Sequence, residues 1–388
     1  MLNKYKVAVV GGAGHIGLPL SCYISSKGNE VLIVDIDEKV LSKIKNNEVP
    51  FFEDGLKSYI DKANKNNIQT STDLKKIKDF NFIIVTLGTS SEKDEIEKFR
   101  GLVSEIIDIV SMESHLILRS TVSIDEINKI SENKLLEQKN IKLSYCPERI
   151  AEGNSLNELQ TLPQIISSKT KQEAEPFVQF FKSLDIKSYV TSFENAAFLK
   201  LFSNAYRYAE FTLVNEFFNI AEENNINFEE IIELAKIDYP RLSNMPSYGF
   251  VGGPCLIKDT KTFIGQYSNE KSVLASLQES NKEFMNLIIK KCLINFPDKK
   301  IIQLGMTFKP NSDDLRSSLA YDLYKRLKAE GFIVYPVDLN LKSEDIELEL
   351  FNYEEVINKT DNLLITTQHD FINELDLNNK KVITVGYK

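Results

Sequence analysis

The stretch Val7-Ala-Val-Val-Gly-Gly-Ala-Gly-His-Ile-Gly17 decides how the first half of the chain folds. Gly12, Gly14 and Gly17 stand in GxGxxG spacing, directly after a β-branched run and at the start of a helical pattern. Glycines at these positions allow a tight turn, close approach of the backbone to a pyrophosphate, and close packing of the helix on the strand. The stretch therefore predicts a dinucleotide-binding turn.

The second strand-like run ends in an acidic residue, Asp35. A carboxylate at this position can accept hydrogen bonds from an adenosine ribose, and its charge repels a 2′-phosphate. We therefore expect the cofactor to be NAD rather than NADP.

Strand-like and helical patterns alternate in both halves of the chain, while 194–224 and 272–295 carry long helical patterns. This order predicts an α/β fold in which two Rossmann-like parallel-sheet domains are joined by a helical middle domain. The expected domains are 1–190, 191–296 and 297–388, and the two sheet-forming halves share no motif that aligns. The predicted strands are Lys6–Val10, Val31–Asp35, Phe82–Thr86, Leu116–Arg119, Lys142–Tyr145, Ile301–Leu304, Ile333–Val337, Leu363–Thr367 and Val382–Val385.

Composition restricts the partners of the chain. The 388 residues include 47 Lys and Arg against 56 Asp and Glu, a net charge of −9, so no basic field attracts nucleic acid or an anionic membrane. The four cysteines have neither CxxC pairs nor nearby His partners, which argues against disulfides and a metal site. Because no signal-like segment or run of about 20 apolar residues is present, we expect a soluble, cytoplasmic protein.

Lys200 and Asn204 lie four residues apart on a predicted helix, so they share one face. An ammonium and a carboxamide side by side can polarise a carbonyl or alkoxide oxygen. An isolated pair at this spacing is more typical of an exposed helix face, so its assignment to a site needs support from other motifs.

The segment Ser247-Tyr-Gly-Phe-Val-Gly-Gly-Pro-Cys-Leu-Ile-Lys-Asp259 bends around a cysteine. Glycines and a proline precede Cys255, and Lys258 and Asp259 follow within one helical turn. A nearby cation and a helix start favour the thiolate, so we predict that Cys255 is a nucleophile. The other cysteines, which are expected to be small buried hydrophobes, are Cys22, Cys146 and Cys292.

The segment 302–316 opens the last predicted domain with a strand and a glycine turn, followed by Lys309 and Arg316. These cations suit a second phosphate-bearing ligand. The segment lacks a full glycine fingerprint, so we do not expect a second dinucleotide there.

Together these segments resemble the UDP-glucose/GDP-mannose dehydrogenase family, the nucleotide-sugar 6-dehydrogenases, over essentially the whole chain. The resemblance implies that 1–190 binds NAD, that 191–296 is helical and forms a homodimer, and that 297–388 holds the sugar nucleotide. The matching segments, in order, are Gly12–Leu20, Ser120–Val122, Pro147–Gly153, Lys200–Asn204 with Asn215-Glu216, Gly249–Cys255 with Lys258-Asp259, and Phe308–Arg316.

The resemblance implies oxidation of the C6 hydroxymethyl of a nucleotide sugar to a carboxylate, with two NAD⁺ and water, through a thiohemiacetal and a thioester on Cys255. The implied catalytic residues are Cys255, Lys200, Asn204, Asp259, Glu148 and Thr121. The implied cofactor contacts are Gly12, Gly14, His15, Ile16, Gly17, Asp35, Thr121 and Arg316. The implied substrate contacts are Glu148, Lys200, Asn204, Tyr248, Gly252, Lys309 and, from the partner subunit, Arg241.

The sequence departs from the family pattern at two places. Val85–Ser90 lacks the proline-containing segment common there, and Pro254 stands where members commonly have Ser or His. The Lys258-Asp259 pair resembles UDP-glucose enzymes, whereas Phe250–Gly253 resembles enzymes of N-acetylated sugars. The sugar, and the choice between UDP and GDP, are therefore left open.

Two other functions are compatible with parts of the pattern. A single-step β-hydroxyacid dehydrogenase also joins a Rossmann domain to helices with a Lys/Asn pair, but it needs neither Cys255 nor a second α/β domain. A non-catalytic sensor of NAD or a nucleotide sugar would not need Lys200, Asn204, Cys255 and Asp259 together.

Overall fold

The computed structural model of the chain describes residues 4–65, 68–89, 93–341 and 348–386. Ser90, the last residue of the segment Val85–Ser90 that departs from the family pattern, lies outside these ranges. The chain divides into two compact units, Met1–Lys200 and Leu201–Lys388. No helix in the described part of the chain combines the length and apolarity needed to cross a bilayer.

The first unit is built on an eight-stranded sheet of order β3-β2-β1-β4-β5-β6-β7-β8. Its strands are β1 (Lys6–Val10), β2 (Glu30–Val34), β3 (Gln69–Ser71), β4 (Phe82–Val85), β5 (His115–Leu118), β6 (Lys142–Tyr145), β7 (Gln164–Ser167) and β8 (Ser188–Thr191). Its helices are α1 (Gly17–Ser26), α2 (Glu38–Lys45), α3 (Leu56–Lys65), α4 (Lys93–Ile109), α5 (Ile124–Ser131), α6 (Lys134–Gln138), α7 (Ser155–Thr161) and α8 (Lys171–Ser183).

Both faces of this sheet are covered, because successive side chains of a strand point to opposite faces. On β1, Val7 and Val9 belong to the core beneath α1, α3 and α8. Ala8 and Val10 belong to the core beneath α4, α5 and α6. This two-sided burial explains why the central strands read as unbroken apolar runs.

The sequence predicts a parallel sheet, but one pair of strands in the structure is antiparallel. β6 and β7 are antiparallel and share one register pair, Tyr145 with Ser167. Three strands were not predicted, since β3 has only three residues, β7 has only two apolar residues between Gln164 and Ser167, and β8 is an edge strand with half-exposed side chains. A side-chain hydrogen bond adds to this short β6–β7 pairing, because Ser167 Oγ donates to Tyr145 O at 2.7 Å.

Helix α9 (Phe193–Glu223) contains the boundary between the units. The second unit continues with α10 (Phe228–Lys236), α11 (Leu256–Tyr267), α12 (Val273–Asn295), β9 (Lys300–Leu304), α13 (Leu319–Ala329), β10 (Ile333–Val337), α14 (Tyr353–Val356), β11 (Asn362–Ile365) and β12 (Lys381–Thr384). The four strands among its described residues are all parallel, in the order β10-β9-β11-β12. The predicted α/β fold with a helical middle region is confirmed.

Both sheets contain a similar turn after one strand, tied by hydrogen bonds to the end of the neighbouring strand, although their sequences do not align. In the first unit, Gly11 N–H follows β1 and donates to Val34 O at 2.9 Å. Asp35, directly after β2, accepts the Ala13 N–H at 3.0 Å. The turn after β1 is therefore tied to the end of β2.

The second unit has corresponding contacts, with the aspartate bonded one residue nearer to the glycine. Gly305 N–H follows β9 and donates to Val337 O at 3.0 Å. Asp338, directly after β10, accepts the Met306 N–H at 2.7 Å. Asp338 thus holds the place in the second sheet that Asp35 holds in the first.

Candidate active site

The predicted dinucleotide turn is closely packed where it meets its own strand. A Cβ on Gly12 would lie 2.7 Å from Val9 O, and one on Gly17 would lie 2.4 Å from Gly11 O. A Cβ on Gly14 would meet nothing closer than 3.7 Å. The fold itself thus requires glycine at 12 and 17, whereas Gly14 borders the open side where a pyrophosphate would approach.

The start of α1 suits an anion. Ile16 occupies the N-cap, and no side chain in the described residues caps this helix. The first N–H groups of a helix carry partial positive charge and lack partners within the helix. The turn therefore fits the phosphates of NAD.

Asp35, the predicted ribose contact, lies beside this turn. One carboxylate oxygen accepts the Ala13 N–H at 3.0 Å, and the other accepts the Asp37 N–H at 3.1 Å. These bonds orient the carboxylate, and an oxygen can accept more than one hydrogen bond. Asp35 can therefore also receive ribose hydroxyls.

His15 links the glycine turn to the Pro147–Gly153 segment. Its Nδ1 lies 2.9 Å from a carboxylate oxygen of Glu152, and its ring packs on Phe51 with centroids 4.0 Å apart. The structure thus brings together two segments that are more than a hundred residues apart in the sequence.

Glu148 is held by a buried guanidinium. Arg119, which is 2% exposed, donates from Nε to a Glu148 carboxylate oxygen at 3.0 Å, and its Nη2 donates to the same oxygen. The other oxygen accepts the N–H groups of Arg149 and Ile150. Burial raises the pKa of Glu148, but Arg119 and the two N–H groups outweigh burial and hold that pKa below its ordinary value.

Sequence reasoning missed a second buried carboxylate, Glu53. It accepts the Gly153 N–H at 2.8 Å and the Ser155 N–H at 2.6 Å, and so caps α7 directly after the Pro147–Gly153 segment. Glu53 precedes its partners by about a hundred residues and stands in no motif, so the sequence contained no signal for it.

Thr121 lies half-buried in the turn between β5 and α5, and its carbonyl accepts Thr89 Oγ1 at 2.5 Å. Ser123 caps α5 by accepting the Glu126 N–H at 3.3 Å. The Glu126 carboxylate pairs with Arg100. Thr121 therefore lies in a strand-to-helix turn whose helix is capped by Ser123.

In the second unit, the segment before the cysteine is held at three places. Buried Asn215 donates to Gly249 O at 2.8 Å and accepts the Gly249 N–H at 2.9 Å. Asn281 donates to Val251 O at 3.2 Å. The Gly253 N–H donates to Ser317 O at 3.0 Å. We name the segment Gly249–Cys255 the cysteine loop.

Glycine is required in this loop because the backbone passes against other groups. Gly253 has φ +93°, and a Cβ there would lie 2.6 Å from the Phe308 ring. A Cβ on Gly252 would lie 3.0 Å from Ser317 O. Gly252, a predicted substrate contact, thus has a packing role that is independent of any ligand.

Cys255 occupies the N-cap of α11 and is exposed, while the other three cysteines are buried. One turn into α11, Asp259 is 1% exposed and accepts Asn204 Nδ2 at 2.6 Å. Lys258 Nζ lies 3.8 Å from the Asp259 carboxylate. Lys200 is 8% exposed on α9, one helical turn before Asn204, which argues against an ordinary exposed helix face.

A pocket of about 180 Å³ lies at the carboxyl edge of the second sheet. Lys309, a predicted substrate contact, lines it, with its Nζ 5.6 Å from the Phe308 ring centroid. Tyr248 also lines it, although its hydroxyl donates to Glu229 at 2.7 Å. The remaining lining residues are Phe250, Thr307, Phe308, Pro310, Leu319, Ala320, Ile365, Thr366, Thr367, Gln368, Thr384 and Gly386.

The two predicted arginines lie elsewhere on the second unit. Arg241 is exposed, and its guanidinium contacts the Tyr239 ring and hydroxyl. Arg316 donates from Nε and Nη2 to the Asp314 carboxylate in its own turn. Neither arginine is among the residues that line the 180 Å³ pocket.

Comparison with known proteins identifies the family. The NAD-binding, central and UDP-binding domain models of the UDP-glucose/GDP-mannose dehydrogenase family match residues 5–185, 194–283 and 303–385. The chain belongs to this family. The predictions of an NAD-dependent nucleotide-sugar dehydrogenase and of a nucleotide-sugar substrate are confirmed.

Individual members of the dehydrogenase family align with nearly the whole length of the chain. A UDP-N-acetyl-D-mannosamine dehydrogenase of Methanococcus vannielii is 29% identical, covering 95% of this chain and 87% of its own. The structure of a UDP-D-ManNAc dehydrogenase from Pyrococcus horikoshii has a TM-score of 0.87 at 22% identity, covering 98% and 94% of the two chains. A UDP-glucose dehydrogenase from Pyrobaculum islandicum has a TM-score of 0.87 at 17% identity, covering 100% and 95%. The two structures show that the fold is shared.

Gly17→Ala in this dehydrogenase should weaken NAD⁺ binding by at least about fivefold, because overpacking costs about 1–3 kcal/mol and displaces the turn. Calorimetric titration with NAD⁺ measures the change. The matched control is Gly101→Ala in α4, where a Cβ meets nothing within 4 Å. A Gly17→Ala variant that binds NAD⁺ like the wild type would contradict the assigned turn.

Iodoacetamide should modify Cys255 alone in the native dehydrogenase near neutral pH. Burial raises the pKa of Cys22 and Cys292 to about 12 and that of Cys146 to about 11, so these thiols are both shielded and protonated. Peptide mass spectrometry identifies the adduct, and Cys255→Ser should remain unmodified until it is unfolded. Native-state labelling at any of the three buried thiols would contradict their burial.

Proposed function

We propose that this dehydrogenase oxidises the C6 hydroxymethyl of a UDP-N-acetylhexosamine, with UDP-N-acetyl-D-mannosamine as the favoured substrate, to the corresponding uronate. The exposed Cys255 at the start of α11, followed one turn later by buried Asp259 bonded to Asn204, carries the proposal. The name of the Methanococcus vannielii relative and the sequence Phe250–Gly253 both favour an N-acetylated sugar. The residues 1–190, 191–296 and 297–388 are the proposed NAD-binding, dimer-forming and sugar-nucleotide domains.

When bound at the glycine turn, NAD⁺ would supply the hydride acceptor for two successive oxidations of C6, the first of which converts the hydroxymethyl to an aldehyde and releases a proton. After the first, Cys255 Sγ adds to the aldehyde carbon while the carbonyl oxygen gains a proton, which forms a thiohemiacetal. The second oxidation converts this adduct to a thioester. Water then attacks the acyl carbon, the carbon–sulfur bond breaks, and the products are the carboxylate, a proton and the free thiol.

Polar groups near the reacting carbon have separate proposed roles. Lys200 and Asn204 stabilise the oxyanion. Asp259 orients Asn204 through their 2.6 Å hydrogen bond and receives a proton. Although burial raises the pKa of Glu148, Arg119 and two backbone N–H groups keep it below its ordinary value, so Glu148 is ionised at neutral pH. With Thr121 it accepts hydrogen bonds from the attacking water.

Ligand contacts complete the proposal. Lys309 holds the diphosphate, Tyr248 and Gly252 border the sugar nucleotide, and Arg241 reaches the substrate of the partner subunit. Gly12, Gly14, His15, Ile16, Gly17 and Asp35 hold NAD. Arg316, which pairs with Asp314, faces the cofactor.

The helical middle is the proposed dimer surface. Large apolar side chains that are 43–54% exposed recur along α9, and α10 adds more of them. Contiguous exposed apolar surface of this kind is typical of protein interfaces. The residues concerned are Phe202, Tyr206, Leu213, Phe217, Ile220, Ile231 and Leu234.

The wild-type enzyme should form about two NADH per UDP-N-acetyl-D-mannosamine consumed, because two hydrides leave C6. Cys255→Ser should form no uronate, as followed by NADH absorbance and mass spectrometry of the sugar nucleotide. UDP-glucose, UDP-N-acetylglucosamine, the galacto epimers and GDP-mannose serve as comparison substrates. One NADH per sugar, as in a hydroxyacid-type reaction, or undiminished uronate from Cys255→Ser would contradict the mechanism.

Phe217→Glu should shift the protein from dimer to monomer, because it places a charge in the proposed apolar interface. Light scattering after size exclusion measures the mass. Met112→Glu, which changes a 68% exposed apolar residue of the first unit, is the matched control and should remain dimeric. A monomeric wild type would contradict the proposed dimer.

A further inference from the structure

A fully buried histidine in the second unit has no part in the mechanism above. His369 follows β11 and is 0% exposed. It contacts the segments that follow two other strands, β9 and β10, at the carboxyl edge of the sheet. Its partners after β9 are Thr307 and Asn311, and its partners after β10 are Asp338 and Asn340.

The hydrogen bonds of His369 determine its tautomer. Its Nδ1 accepts the Asn311 N–H at 2.9 Å and contacts Asn340 Nδ2 at 2.7 Å. Nδ1 therefore carries no proton, and the neutral ring has its proton on Nε2. From there it can donate to Thr307 Oγ1 at 3.1 Å and Asp338 Oδ2 at 3.2 Å.

Asp338 repeats the position of Asp35 but not its accessibility. Asp35 is half-buried, whereas the Asp338 side chain is 0% exposed. Asp338 accepts the Met306 and Asn340 N–H groups in addition to contacting His369. A carboxylate enclosed in this way cannot receive a ribose hydroxyl, so its contacts serve the loops around it.

One chain of hydrogen bonds leads from this pair to the pocket. Thr307 Oγ1 accepts from His369 and donates to Lys309 O at 2.9 Å. Thr367 Oγ1 donates to Thr307 O at 2.7 Å and closes the other side of the turn. Lys309 and Thr367 both line the 180 Å³ pocket.

We propose that His369 and Asp338 are a positioning pair that fixes the Thr307–Lys309 turn, and thereby Lys309, for binding the diphosphate of the nucleotide sugar. The inference rests on the proposed function, since it assumes that Lys309 holds that diphosphate. Neither residue touches the reacting carbon. Loss of the Nε2–H donor should therefore loosen nucleotide binding and leave the chemical step intact.

Two substitutions at His369 distinguish the role of Nδ1 from that of Nε2. His369→Asn keeps an acceptor near Nδ1 and loses the donor toward Thr307, so it should weaken UDP binding by about tenfold, the effect of about 1.4 kcal/mol. His369→Gln can keep a donor near Nε2 and should restore most of the affinity. Calorimetry with UDP and with NAD⁺ measures both, and kcat should change less than about threefold while KM for the sugar nucleotide rises.

The matched control is Asn362→Ala, because Asn362 is also buried but lies at the opposite end of β11, where it bonds Asp298 and Lys300. It should lower the unfolding temperature without changing UDP affinity. If His369→Asn does not fold, Asn340→Ala removes one partner of Nδ1 at a half-buried position and should weaken UDP binding by about threefold. Unchanged UDP affinity in the folded variants, or an equal loss of NAD⁺ affinity, overturns the positioning role. A wild type that binds no UDP contradicts the proposed function instead.

Discussion

Two hydrogen bonds from one buried amide, Asn215, hold the backbone of Gly249 from both sides, and the geometry of the cysteine loop depends on them. Each such bond contributes about 1 kcal/mol net, but leaving the buried groups unpaired costs about 1–3 kcal/mol. The loop backbone at Gly249 is therefore held in this conformation. Close packing of Gly253 against Phe308 fixes the other end of the loop. The result is an exposed thiol on a backbone that is fixed before any substrate binds.

The two sheets use one backbone device for different purposes. A glycine after the first strand and an aspartate after its neighbour tie the turn to the sheet in both units. In the first unit Asp35 remains open to solvent on one side, as binding of NAD ribose requires. In the second unit His369 encloses Asp338, and the open surface at that edge is the pocket lined by Lys309. The same fold can therefore hold a dinucleotide in one unit and a sugar nucleotide in the other.

Much of the fold was readable from the sequence because its signals are local. The glycine spacing and the apolar runs act within a few residues of one another. Of the three missed strands, β3 has only three residues and β8 is a half-exposed edge strand, while β7 is buried but has only two apolar residues, between Gln164 and Ser167.

The candidate site was readable only where residue type itself indicates chemistry, as for Cys255 and Asp35. Glu53, Arg119 and His369 are buried polar residues whose partners lie 29 or more residues away in the sequence. No local pattern distinguishes them from surface residues, and their roles emerge only from the packed structure. The same holds for charge, because a net −9 gives no hint that Lys200 is buried or that Lys309 lines a pocket.

The most direct test of the central claim, that the held Cys255 carries the second oxidation, is to trap the covalent intermediate. Acid quenching of the enzyme during turnover with NAD⁺ and UDP-N-acetyl-D-mannosamine, followed by peptide mass spectrometry, should detect a hydroxylamine-sensitive acyl adduct on the peptide that contains Cys255. Uronate formation with that peptide unmodified at every time point, or an adduct on another residue, would contradict the account.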